Sequence, residues 1–214
     1  LNRLNTIAQA TQRGSAIARK LLMFSQCSDD HFAPVSLEYI LRSLETRIYA
    51  IAPKNIQVTF SYLAADSFVF GEAEQLSELF SNLVTNAIEA MPEGGQLSVK
   101  LLQEMDKEML ELTLGENVPD NLIAISVADT GKGISEEAQM RIFDPFFTTK
   151  DSPTSAGGLG LAVVHGIVQS HQGYIDLQSS PSGTIFTVYF PLISENERAK
   201  DVSEMFHYRK KSDM

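Results

Sequence analysis

Glu78-Leu79-Phe80-Ser81-Asn82-Leu83-Val84-Thr85-Asn86-Ala87-Ile88-Glu89-Ala90-Met91 reads as an amphipathic helix. Leu79, Leu83, Ala87 and Ala90 recur at three- and four-residue steps and make one apolar stripe. Asn82 and Asn86 stand one turn apart, so their amides project from the same side. Asparagine is a mediocre helix former because its side chain competes for backbone hydrogen bonds. Two of them inside a good helix form either a solvated polar face or the wall of a site. In the second case they offer amide oxygens to a hard ion such as Mg2+.

Working outward, the segment ahead of this helix supplies Ile56 to Leu63, which alternates strictly as a half-buried strand, and a short strand at Phe68–Phe70. Further back, Ser36 is placed to cap a helix carrying Leu37, Ile40, Leu41, Leu44, Ile48 and Tyr49, ended by Pro53. Beyond the twin-Asn helix, Met91-Pro92-Glu93-Gly94-Gly95 is turn chemistry, and Gln96 to Gln103 returns as a strand. Residues 104 to 121 are polar and irregular and read as a hairpin extension. Leu122 to Ala128 is a central strand, Ser135 caps a short helix, and a helix from Leu161 to Ser170 precedes two closing strands, Tyr174–Gln178 and Thr184–Phe190. Short turns between neighbouring strands predict an antiparallel or mixed sheet with helices packed on one face, an α+β two-layer sandwich.

Residues 1 to 27 read as one long helix in which Leu4, Ile7, Thr11, Gly14, Ala18 and Leu21 form a coiled-coil or bundle seam. Ser28-Asp29-Asp30 breaks it, and residues 195 to 214 form a charged tail. The expected division is therefore 1–28, 29–194 and 195–214. The 43% hydrophobic content of these 214 residues suits a packed core. A formal charge of -10 argues against sequence-independent binding to nucleic acid or anionic membrane. No apolar run approaches the ~18 residues of a membrane span, no signal peptide is visible, and the single cysteine, Cys27, cannot form an internal disulfide. A cytoplasmic setting is the expectation. The start at Leu1 suggests a piece of a longer protein, in which a membrane anchor could lie upstream.

Two further stretches carry chemistry. Asp129-Thr130-Gly131-Lys132-Gly133 follows a buried strand, so its carboxylate is an acceptor on rigid scaffold, suited to an exocyclic amino group such as adenine's. The glycines permit positive φ and close backbone approach. Gly157-Gly158-Leu159-Gly160 opens a helix whose first N–H groups can receive an anion, and the lack of a following Lys-Ser or Lys-Thr excludes a P-loop.

Taken in order over Glu78 to Leu161, these motifs resemble the catalytic ATP-binding domain of two-component histidine kinases. That domain lies within the superfamily of gyrase, chaperone, kinase and mismatch-repair ATPases (GHKL, the Bergerat fold). Asn82–Met91 resembles the N box, Asp129–Gly133 the first glycine box and Gly158–Leu161 the second. Phe143-Asp144-Pro145-Phe146-Phe147-Thr148-Thr149-Lys150 resembles the F box of the nitrogen-regulator and hybrid-kinase branch. The likeness covers residues 34 to about 192.

The resemblance implies ATP and Mg2+ as cofactors, with Asn86 on the metal and Asn82 beside it at the metal or phosphates. It implies Asp129 on the adenine amino group and Gly131 and Gly133 shaping the adenine pocket. Phe146 and Phe147 would anchor a lid by packing into the core, Lys150 would reach the terminal phosphates, and Gly158, Leu159 and Gly160 would form the phosphate loop. The usual Gly-Thr-Gly-Leu-Gly-Leu is here Ala156-Gly157-Gly158-Leu159-Gly160-Leu161. Hydrolytic relatives carry Glu where Asn82 stands, and an amide cannot act as a general base, which favours phosphoryl transfer over hydrolysis.

Residues 1 to 27 resemble the second helix of the dimerisation and phosphoacceptor hairpin, implying a homodimer through that helix. None of His31, His165, His171 and His207 is followed by the acidic residue of an acceptor site. The implied partners are a response-regulator receiver or a phosphotransfer protein. Two other readings stand beside this one: a non-catalytic kinase-like dimer that docks a receiver, and a protein serine kinase on the same fold.

Overall fold

The structure, a computed structural model, describes residues 32–64, 66–103, 107–115, 118–119, 121–149 and 158–194. The expected helix at 1–27, Cys27, His31, Lys150, Gly157 and the tail from residue 195 lie outside the described residues.

In chain order the elements are β1 (Ala33–Ser36), α1 (Leu37–Ile51), β2 (Ile56–Tyr62), β3 (Phe68–Gly71), α2 (Ala73–Glu89), β4 (Gly95–Leu102), α3 (Lys107–Leu114), β5 (Leu122–Asp129), α4 (Glu136–Gln139), α5 (Gly160–Ser170), β6 (Tyr174–Ser180) and β7 (Gly183–Pro191). Five strands form one sheet in the order β2-β4-β5-β7-β6. The β2–β4 pair is parallel and the other three pairs are antiparallel, so the sheet is mixed.

Alternation along the strands sorts the two faces of the sheet. Leu97, Val99 and Leu101 of β4, Ile123, Ile125 and Val127 of β5, and Phe186, Val188 and Phe190 of β7 join the main core. Over them lie α1, α2 and α5. The Ser36 hydroxyl accepts from the Tyr39 N–H at 3.3 Å and caps α1, whose Leu37, Ile40, Leu41, Leu44 and Ile48 are buried. Tyr49, expected in the same stripe, is instead exposed at the helix edge, its ring centroid 6.2 Å from that of Phe60. Helix α2 buries Leu76, Leu79, Phe80, Leu83, Val84 and Ala87, whereas Ala90, expected in the same stripe, is its half-exposed C-cap residue.

The opposite face carries a second, smaller cluster, which corrects the expectation that helices cover one face only. Residues 104 to 121 are not a bare hairpin extension: they contain α3, whose Leu110 packs with Val118, Leu122, Ala124 and Tyr189. Ala124 pairs with Leu102 on one side and Tyr189 on the other, so these side chains share one row of the outer face. Leu112, exposed on the far side of α3 from Leu110, breaks the amphipathic pattern that would have marked the helix.

A second feature also went unread. β1 pairs antiparallel with β3 in a separate two-stranded sheet, with Pro34 opposite Phe70. β3 runs almost directly into α2. At that junction the Glu72 N–H donates to Nε2 of buried His171 at 3.1 Å, and Nδ1 of the same ring donates to the Ile167 carbonyl at 2.8 Å. This histidine at the end of α5 thereby ties α5 to the start of α2.

Candidate functional site

A cleft enclosing about 1030 Å³, including its open mouth, lies between α2, the C-terminal end of β5 and the start of α5. Its walls come from four stretches of chain. From α2 come Asn82, Thr85, Asn86, Glu89 and Ala90; from the end of β5 and the following loop come Asp129, Lys132, Gly133 and Ile134. Phe147, Thr148 and Thr149 line it beside Gly158, Gly160 and Leu161, while Thr184 and Phe186 of β7 close its base.

One end is built for a flat apolar ligand with a polar edge. Ile134, Ala138, Ile142 and Phe186 line this part of the cleft. Among them the Asp129 carboxylate is only 9% exposed, and its Oδ1 accepts from the Gly131 N–H at 2.8 Å. That bond fixes the carboxylate's orientation. The Thr184 hydroxyl beside it is buried and lies 3.0 Å from the Ser179 hydroxyl, which in turn accepts from the Ile134 N–H at 2.9 Å. Reading the sequence missed Thr184 and Ser179. The available signal was a threonine in the buried phase of an otherwise apolar strand, opposite Asp129 in register.

Glycine is required here on steric grounds. A Cβ on Gly131 would sit 2.6 Å from the Ala90 carbonyl oxygen, and Gly133 has φ +69 with the Ser180 carbonyl directly in the way. Both keep the loop tight between α2 and β6.

The other end is polar and meets a helix start. Gly160 opens α5, whose N-cap residue Leu159 supplies no side-chain bond to the first turn. A Cβ built on Gly160 would lie 3.6 Å from Asn82 Oδ1 and 3.8 Å from Asn86 Nδ2, so the twin amides face the helix start directly. The first backbone N–H groups of an 11-residue helix and its dipole suit an anion at this position. Gly158 has φ +71, and a Cβ there would come within 2.6 Å of the Phe146 and Phe147 backbones.

Of the expected site residues, the structure brings Asn82, Asn86, Asp129, Gly133, Phe147, Gly158 and Gly160 to one cleft. Gly131 stands behind the wall, orienting Asp129, and the Leu159 side chain is fully buried in protein. The aromatic segment divides. Phe143 and Phe147 pack against the main core, but Phe146 is 60% exposed. Its φ of +68 turns the side chain outward while its N–H donates to the Gly158 carbonyl at 3.1 Å. Phe146 therefore does not anchor anything by burial. Arg141 lies over the Phe147 ring, 4.6 Å from its centroid, and pairs with Asp144 at 3.4 Å.

A family model described as histidine kinase-, DNA gyrase B- and HSP90-like ATPase matches residues 71–194, the stretch that builds every wall of the cleft. The chain belongs to this ATPase family. Within it, this is the ATP-binding domain of the sensor histidine kinases. The chain is 30% identical over 196 residues to the sensor kinase CckA of Brucella abortus, covering 91% of this chain and 21% of that protein. It is 30% identical over 195 residues to the sensory histidine kinase/phosphatase NtrB of Azospirillum brasilense, covering 91% of this chain and 48% of the relative.

Among solved structures, the nucleotide-free catalytic domain of histidine kinase ThkA superposes with a TM-score of 0.61 at 28% identity. That match covers 75% of this chain and 95% of the other. The chain thus spans between about a fifth and a half of the length of these two curated relatives. Among its described residues, no helix of this ATPase domain is long and apolar enough to cross a membrane.

Proposed function

We propose that this chain binds ATP with Mg2+ in the cleft and supplies the γ-phosphoryl group to a histidine on a helix outside it, for relay to a response-regulator receiver or phosphotransfer protein. The observation that carries this reading is the convergence of Asn82, Asn86, Asp129, Gly133, Gly158 and Gly160 on one cleft from segments up to 78 residues apart.

Asp129, held by the Gly131 N–H, accepts the adenine amino group, and the apolar wall takes the ring faces. The phosphates lie at the start of α5, where backbone N–H groups and the helix dipole oppose their charge. Asn82 and Asn86 present neutral amides beside that position, and a hard ion prefers oxygen donors of this kind, shared with phosphate oxygens. Asn86 is the proposed metal residue, with Asn82 beside it. Held by Asn86, with Asn82 beside it, the ion would supply positive charge against the phosphoryl group being transferred. Lys150 is assigned to the terminal phosphates, Leu159 to the phosphate loop through its backbone, and Phe147 to the wall over the nucleotide.

The protein's own contribution is positioning and preorganised charge. An amide at Asn82 cannot take a proton from water, which keeps the cleft suited to transfer rather than hydrolysis. Residues 1–28 are assigned to a dimerisation helix, 29–194 to the catalytic domain and 195–214 to a tail. Lacking an acceptor histidine with an acidic neighbour, this chain alone is expected not to phosphorylate itself on histidine.

Calorimetric titration with ADP and a non-hydrolysable ATP analogue, with and without Mg2+, tests the reading. Saturable binding is expected in the parent. In Asp129→Asn a donor replaces one acceptor oxygen, and a lost charge-assisted bond of about 1.5–3 kcal/mol weakens binding roughly 10- to 150-fold. A folded parent that binds neither nucleotide would overturn it.

A further inference from the structure

We infer that Lys132 is a phosphate-contacting residue of the nucleotide site, acting from the loop after β5, beside the end of α2. This rests on the nucleotide reading above. The charged side chains among the described residues lining the cleft are Glu89, Asp129 and Lys132. Two carboxylates in the wall oppose any polyanion, and Lys132 is the charged lining residue among those described whose sign offsets them.

Lys132 is held for that task by its backbone. Its N–H reaches the Ala90 carbonyl at 3.4 Å, which pins the residue against the last turn of α2. Ala90 lies four residues, hence about one 5.4 Å turn, beyond Asn86, and a four-carbon lysine stem spans that distance. Gly131 and Gly133 on either side are sterically confined, against Ala90 and Ser180 respectively, so the main chain at Lys132 cannot drift.

The side chain is exposed and makes no hydrogen bond or ion pair among the described residues. Arg141 is the contrasting cation: it is engaged by Asp144 at 3.4 Å and by the Phe147 ring, and it does not line the cleft. Among the described residues lining the cleft, Lys132 is therefore a cation that can turn to a phosphate without giving up a partner, and its contact adds to affinity rather than replacing an existing bond.

The test is calorimetric titration of the whole chain, as Lys132→Met and Lys132→Arg beside the parent, with ATP, ADP and adenosine in the presence of Mg2+. The expected result is ATP and ADP binding weakened roughly three- to tenfold in Lys132→Met, with adenosine unchanged and Lys132→Arg close to the parent. The parent's affinity for ATP should also fall more steeply with added salt than that of Lys132→Met. Unchanged ATP affinity in Lys132→Met would overturn the inference while leaving the nucleotide site intact. An equal loss for adenosine would overturn it too, placing Lys132 at the base end. A parent that binds no nucleotide sinks both this and the reading it rests on. Melting curves for all three proteins confirm that each is folded.

Discussion

Protonating His171 should loosen the junction of α2 and α5. The ring is buried, between Phe32 at a centroid distance of 4.7 Å and Phe190 at 6.0 Å. It is held in one tautomer: Nδ1 donates to the Ile167 carbonyl and Nε2 accepts from the Glu72 N–H. Burial pushes its pKa below the ordinary histidine value, and this outweighs the Ile167 bond and the Glu72 charge, which both favour the cation. The sign follows directly. With the folded pKa below the unfolded value of about 6.5, the unfolded chain binds more protons between the two values. The stabilisation is fully present above about pH 6.5 and is lost as pH falls through the folded pKa. A proton on Nε2 would also face the Glu72 N–H donor to donor.

Replacing the ring measures what is at stake. His171→Ala leaves the Glu72 N–H without its acceptor, about 1–3 kcal/mol, and removes a buried ring, about 1–2 kcal/mol more. His171→Gln restores an acceptor near Nε2 and does not titrate. Urea denaturation of the three proteins between about pH 5 and 8 is the assay. The parent's stability advantage over His171→Gln should shrink as pH falls below about 6.5, and His171→Ala should be the least stable near pH 7. An advantage that stays constant with pH, or grows on acidification, would refute the assignment of a neutral, acceptor-bearing Nε2.

Gly133→Ala places a methyl group against the Ser180 carbonyl at a φ of +69, so a melting temperature lowered by several degrees is expected, together with weaker ADP binding in calorimetry. Leu83→Ala and Leu110→Ala should separate the two cores. The first opens a hole in the main cluster and costs about 2–5 kcal/mol, whereas the second empties part of the small outer cluster, costs less, and leaves ADP affinity unchanged.

What the sequence revealed followed from how locally each feature is determined. The α2 stripe, the Ser36 and Ser135 caps and the β5 to Asp129 transition depend on residues within one or two turns, and all are present. The site was legible because its residues are chemically out of place: amides inside a helix, a carboxylate closing a buried strand, glycines at a helix start. The misses depend on distant partners. β1 exists because β3 lies beside it, α3 is held by an outer sheet face whose apolar row is visible only once three strands are in register, and Phe146 points outward because of a backbone φ that no composition rule gives. In the sequence His171 is marked only by lacking an acidic neighbour, and its two bonded nitrogens appear only when residues 72 and 171 are brought together.

The pairing of β1 with β3 makes the front of the domain a short lever. Tension on the chain ahead of Phe32 is borne in shear by four residue pairs, Ala33–Gly71 to Ser36–Phe68. It is borne also by the Phe32 ring, against the imidazole that clasps α5 to α2. The load therefore arrives at the butt ends of the two helices whose other stretches carry Asn82, Asn86 and Gly160.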